Sequence, residues 1–141
     1  MPLFSVSPKQ LVLLQGLINQ AISNDASAGQ RFAPLNGKSL RITCQQPDID
    51  ICIIIEQGQI ALEQGSFYEK PNSHIEGDLR AFFDVFSSDD KASALINSNL
   101  RLKGDSQLLI DLQKALSALN IDWEYHIAKL LGDIPKHQLG K

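Results

Sequence analysis

Cysteine is nearly absent. Cys44 and Cys52 are the only two in 141 residues, which excludes the disulfide framework that holds many small secreted domains together. Basic clusters are absent too. The 13 Lys and Arg residues are scattered among 16 Asp and Glu for a net charge of -3, so the electrostatic footprint of a nucleic-acid binder is missing. No apolar run approaches the length that spans a bilayer. The opening MPLFSVSPKQ lacks the charged region of a secretory signal. Cytoplasm is therefore the expected compartment. There is no low-complexity linker, and 43% hydrophobic with 21% charged residues describes a soluble globular chain. Its length suits one domain with a real core, taken as residues 1–141.

Catalytic and metal signatures are equally scarce. The histidines, His74, His126 and His137, do not fall at zinc-ligand spacing. No Gly-x-Ser-x-Gly elbow is present. The carboxylate pairs Asp48/Asp50 and Asp89/Asp90 sit in turn-like sequence and read as solvated turn residues. If QQPD (45–48) is a hairpin turn, Cys44 faces Ile49 across it and Cys52 lies farther along on the opposite face. The two could not bridge in that register, and both read as small core residues. No catalytic residue, metal site or cofactor is assigned.

What is present is strand and helix punctuation. Ser7-Pro8-Lys9-Gln10 reads as a capped helix start. Leu11, Leu14, Ile18 and Ile22 follow at helical spacing. Val12, Leu13 and Leu17 make a second side apolar, so this helix is expected to be buried on two sides or to cover something apolar. Asp25 is placed to cap a short helix ending before Pro34. SLRITC alternates as a strand. IDICIIIE is apolar on both faces, the pattern of a strand covered on both faces or carrying a ligand on one. Gln57-Gly58 turns into a strand interrupted at Gly65. Ser73 to Glu76 and Leu100 to Lys103 are further strands. Helices carry Leu79, Phe82, Phe83 and Phe86, then Leu108, Leu109, Leu112, Leu116 and Leu119. A last helix has Trp123, Ile127, Leu130 and Leu131 on one stripe and ends at Gly132. SSDDK reads as a loop, and ASALINSN as a lead into the strand after it. Strands in a meander before and between helices give an α+β fold with a mainly antiparallel sheet.

Twice a strand passes through Gly-Asp into a helix, at Gly77-Asp78 and Gly104-Asp105. Aspartate accepts hydrogen bonds from free backbone N–H groups at a helix start, and glycine permits a sharp strand exit. A phosphate loop needs more glycines and a Lys-Ser/Thr pair. Capping explains both junctions without chemistry. The apolar helix faces suit either a solid core or a lipid tunnel, and spacing alone favours the core.

ALINSNLRLKGDSQLLIDLQKAL (94–116) resembles the signature of the sterol carrier protein 2 family, and LNGKSLRI, IIIEQGQIALEQG and IEGDLRAFF follow the same order upstream. The ending IDWEYHIAKLLGDIPKHQLGK is similar to the accessory factors of ubiquinone biosynthesis within that bacterial branch, a likeness over essentially the whole chain. The resemblance implies an α+β fold with a mostly antiparallel five-stranded sheet covered by helices enclosing a hydrophobic cavity. It implies a non-catalytic role: binding polyprenylated intermediates of ubiquinone synthesis and helping to assemble the biosynthetic enzymes. The expected lining is Phe82, Phe83, Phe86, Leu108, Leu112, Leu116, Ile53 and Ile55. Expected partners are a prenyl lipid and those enzymes; a homodimer is compatible. Family members continue into a helical tail, so a chain stopping at Lys141 reads as a fragment. The competing readings are an interaction scaffold with a solid core and no lipid, and an enzyme acting on a lipid or thioester, since relatives of this fold are fused to enzymes.

Overall fold

The structure, a computed structural model, describes residues 8–45, 48–65, 70–86, 88–123 and 125–126. In chain order the elements are α1 (Pro8–Ser23), α2 (Ala28–Phe32), β1 (Ser39–Gln45), β2 (Ile49–Glu56), β3 (Gln59–Gln64), β4 (Ser73–Asp78), α3 (Leu79–Phe86), α4 (Lys91–Ile96), β5 (Arg101–Gly104) and α5 (Ser106–Ser117). The Ser7 cap, the stripe beyond Trp123 with its stop at Gly132, and His137 lie outside the described residues.

The strands form one five-stranded sheet in the order β3-β2-β1-β4-β5. β1/β2, β2/β3 and β4/β5 pair antiparallel, whereas β1 and β4 pair parallel. The sheet is thus mixed rather than a plain meander. β4 is parallel because the chain returns to the end of the sheet where β1 starts. There the Asn72 side-chain oxygen accepts from the Ser39 N–H at 2.8 Å, and the Asn72 N–H donates to the Ser39 carbonyl at 3.0 Å.

Register divides the sheet into unlike faces. Leu40, Ile53 and Leu62 align across three strands, and Ile42 aligns with Ile51 and Ile75. With Cys44, Ile49, Ile55, Ile60 and Leu102 they make one aliphatic face, which packs with the helices into a single core. The other face is mostly polar. Arg41 pairs with Asp50, Thr43 Oγ1 lies 2.8 Å from His74 Nε2, and Arg101 donates to Glu76 at 3.1 Å. Asp50 is therefore a strand residue with an ion-pair partner, which corrects its reading as a turn carboxylate. Cys52 and Ile54 are buried on this second face, so β2 is covered on both sides along its middle.

Cys44 and Ile49 are cross-strand neighbours, while Cys52 pairs with Arg41 and points to the opposite face. That is the expected hairpin register, and both thiols are free and buried.

α1 closes the β3 edge of the sheet. Asn19 donates to the Ile60 carbonyl at 2.9 Å and accepts from the Ile60 N–H at 2.8 Å, and Gln15 accepts from the Leu62 N–H at 2.8 Å. Two amide side chains thus stand where another strand would bond, which protects the edge from foreign pairing. Leu11 and Ile18 are buried, with Leu14 and Ile22 partly so. The second apolar side is not covered: Val12 and Leu13 are 65% and 67% exposed. Helix packing needed only one stripe, so this part of the sequence pattern overstated the burial.

Both Gly-Asp junctions are caps. Asp78 Oδ1 accepts from the Ala81 N–H at 2.8 Å, and Asp105 Oδ1 accepts from those of Gln107 and Leu108 at 3.0 and 3.2 Å. The glycines differ. Gly104 has φ +97°, a left-handed conformation that glycine adopts without cost. Gly77 has no positive φ; a Cβ there would lie 2.5 Å from a Leu100 methyl, so its need is close approach.

Two shorter helices complete the layer. Asp25 stands three residues before α2, whose N-cap position is Ser27, so it is not the expected cap; its Oδ1 accepts from the Ser27 N–H at 2.9 Å, and its other oxygen holds Arg31 at 2.7 Å. α2 ends at Phe32 and a 3-10 turn, Ala33–Leu35, carries Pro34. The segment expected only to lead into β5 forms α4, capped by Asp90 accepting from the Ser93 N–H at 3.1 Å. Asp90 is solvent-exposed, as its turn-like sequence suggests, and in addition serves as the cap of α4.

Two stability outcomes follow from these contacts. Asn19→Ala unpairs both backbone groups of Ile60 at the covered edge and should lower unfolding free energy by about 1–3 kcal/mol, read from the urea midpoint. Gly104→Ala should also destabilise, because its Cβ would lie 2.3 Å from the Asn72 carbonyl oxygen at a positive φ. An unchanged midpoint for either variant would contradict the geometry.

Candidate functional site

The aliphatic sheet face needs cover, and the helices supply it. Ile53 and Ile55 rise from β2 into the core; Leu108 and Leu112 descend on it from α5, and Phe82 from α3. Leu116 is partly buried against the same cluster. Six of the eight expected lining residues are thus brought into one apolar interior. Phe83 is not: it is 52% exposed, because its position on α3 turns it away from Phe82 and Val85. Placing it in the lining is corrected accordingly. The Phe86 side chain lies outside the described residues.

The interior is not equally closed everywhere. Around α1 and α2, Ala28, Phe32 and Leu35 are shut away from solvent. Partly buried side chains border the core on α1 at Leu14, Ala21 and Ile22, and toward α3, α4 and β5 at Leu79, Ala94, Leu95 and Leu102. Ile96 on α4 is 82% exposed. Trp123 docks beyond α5, its ring N–H donating to the Leu116 carbonyl at 3.1 Å.

Among the described residues, two depressions open on the helical side. One, of about 620 Å³, is a shallow groove between Asp89-Asp90 and the outer face of α5 at Ile110, Lys114 and Ser117. The other, of about 220 Å³, lies between α3 and α4. Its polar residues are Asp78, Arg80, Asp84, Asn97, Ser98 and Asn99, over an apolar base of Ala81, Val85 and Ala94. Neither depression includes a residue expected to line a cavity. In the sequence the polar residues of the second carry no site signal, because aspartate, serine and asparagine beside helix ends read as caps and turns. The only available signal was their density between residues 78 and 99.

The titratable groups have structural surroundings. Burial pushes the Cys44 thiol up to about 11, with Asp78 adding to the effect. Burial likewise pushes Cys52 up to about 11, with Glu63 adding. The Arg101 hydrogen bond holds Glu76 below the usual carboxylate range. The edge of the Tyr125 ring meets His126, the centroids 5.0 Å apart. Among the described residues no three His, Cys, Asp or Glu side chains are grouped as metal ligands. No helix among them is long and apolar enough to cross a membrane.

A family model described as the SCP-2 sterol transfer family matches residues 18–117. No curated protein sequence matches the chain. Among solved structures, a UbiJ-SCP2 ubiquinone synthesis protein is 16% identical over 82% of this chain and 93% of that chain, with a TM-score of 0.65. Sterol carrier protein 2 is 14% identical over 76% of this chain and 95% of that chain, with a TM-score of 0.50. The inverting sec-alkylsulfatase Pisa1 from Pseudomonas sp. is 15% identical over 77% of this chain but only 16% of that chain, with a TM-score of 0.53. At these identities the likenesses are likenesses of fold.

The cysteine environments give a direct check. At pH 8 a thiolate reagent such as a disulfide dye should label neither Cys44 nor Cys52 in the folded chain, and both in urea. Rapid labelling of the native protein would show that the core opens at β1 or β2 far more readily than the burial implies.

Proposed function

The chain belongs to the SCP-2 sterol transfer family, and on that premise we propose that it is a non-catalytic lipid-binding factor. Its ligands are the polyprenylated intermediates of ubiquinone synthesis, held so that the enzymes of that pathway can reach their head groups. The observation that carries this reading is the unbroken aliphatic face of the sheet, from Leu62 and Ile60 through Ile53 and Leu40 to Ile75, lying under a helical layer. The likeness of fold to a UbiJ-SCP2 ubiquinone synthesis protein supports the choice of lipid.

The physical reason is solubility. Each methylene taken out of water contributes about 0.8 kcal/mol, so a prenyl tail partitions strongly into any apolar interior that admits it. Such binding needs area and shape rather than directed polar contacts. A carrier built this way has no use for a nucleophile, base or metal. The sulfatase likeness covers a small part of that enzyme, in keeping with a module that accompanies chemistry done elsewhere.

A second reading has its own observation. Phe32, Ile55 and Ile75 are completely buried, as in a solid interior, and Val12 and Leu13 stand exposed on α1 as a scaffold's contact surface would. Both readings meet in one experiment. The protein is expressed in a ubiquinone-producing bacterium, purified without detergent, and its organic extract examined by mass spectrometry. Prenylated aromatic compounds near one per chain, with reduced ubiquinone in a deletion strain, are the expected result. An empty extract with normal ubiquinone would leave the scaffold.

A further inference from the structure

The depression between α3 and α4 joins two unlike chemistries. Its base residues Ala81 and Val85 belong at the same time to the buried core, 6% and 2% exposed, while its rim is polar. An amphipathic molecule has this same division. Side chains toward this opening, Leu79, Leu95 and Leu102, are only partly buried. α4 has only six residues, packs chiefly on α3, and points Ile96 at solvent.

We propose that this pocket is the head-group site and the tail's point of entry for an amphipathic lipid, and that it prefers a neutral, hydroxylated ring over an anionic head. This rests on the lipid-binding reading and adds to it a location and a selectivity. The volume sets the first limit. About 220 Å³ is room for one substituted six-membered ring; a 150 Å³ cavity is enough for benzene. The charges set the second. Asp78 and Asp84 oppose the single guanidinium of Arg80, so a carboxylate or phosphate head meets a net negative rim. A phenolic hydroxyl can donate to Asp84 and accept from Arg80 or the Asn97 amide. It satisfies both kinds of rim group without bringing charge. The tail then passes over Ala81 and Val85 toward the aliphatic sheet face when α4 shifts on α3.

The test uses two probes of one chain length, 2-farnesylphenol and farnesoic acid, titrated at pH 8 against the whole chain. The wild type should bind the phenol more tightly than the acid. Ala94→Trp fills the pocket and should weaken phenol binding at least about tenfold while thermal unfolding stays cooperative. Asp84→Asn, at an exposed position, should narrow the preference for phenol over acid about three- to tenfold by removing one rim charge. Should Ala94→Trp not fold, the Asp84 variant decides alone. Wild-type-like phenol binding by Ala94→Trp, or an unchanged preference in Asp84→Asn, overturns the site and leaves the lipid-binding reading standing. Binding of neither probe by the wild type overturns the reading, and the site with it.

Discussion

The parallel contact between β1 and β4 joins the two halves of this molecule. On one side lies the hairpin sheet β3-β2-β1; on the other lie β4, β5 and the helices between and after them. A shift of one residue at that contact would turn Ile75 from the aliphatic face to the polar one, because side chains alternate along a strand. The register is fixed by polar groups at the start of both strands. Ser39 and Ser73 are buried to within 2% of complete, the most closed polar residues in the core region. Ser39 exchanges hydrogen bonds with Asn72, and the Ser73 hydroxyl donates to the Asp105 carbonyl at 2.7 Å. Buried polar groups are costly unless bonded, so each wrong register would leave these unsatisfied. The same bonds place Asp105 and therefore the start of α5. One small polar knot thus sets both the continuity of the aliphatic face and the helix that covers it.

This explains which parts of the fold were legible in the sequence. β1, β2 and β3 announce themselves by alternation or β-branched runs, and their pairing follows from short turns. α3 and α5 announce themselves by a Gly-Asp start and helical spacing. The direction of β4 does not, because Ser73, Ile75 and Gly77 alternate identically whether the strand runs parallel or antiparallel to β1. The deciding residue, Asn72, looks like any turn asparagine. α4 escaped notice for a related reason: six residues give less than two turns of periodicity, too little to distinguish from a loop.

The candidate site divides in the same way. Residues that enter the interior through regular spacing, such as Ile53, Ile55, Leu108 and Leu112, were identifiable, since periodicity reports which side of an element faces inward. Phe83 shows the limit of that signal. It neighbours Phe82 on a helix whose buried residues, among the described side chains, are Ala81, Phe82 and Val85, and a broad aromatic run does not say where the buried arc ends. The α3–α4 pocket was illegible because it is made by packing two helix ends together. Arg80 and Asn97 are far apart in sequence, and only the position of α4 makes them neighbours on one opening.

A binding interior must be apolar and yet openable, and these demands conflict in a closely packed core. The distribution of tethers to the sheet separates them in space. The end built by α1 and α2 is tied to the sheet by the amide bonds of Gln15 and Asn19 and by completely buried side chains such as Phe32. The end built by α3 and α4 has partly covered side chains, as α1 has at Leu14 and Ile22, but its α4 is a helix of under two turns. Local opening starts at the least tethered contacts, and α4 is shorter than α1 and lacks its bonds to a strand edge, so the interior would part at α4 before it disturbs β3 or α1. Stability is concentrated where the sheet edge must be protected, and compliance is left where a guest molecule would have to pass.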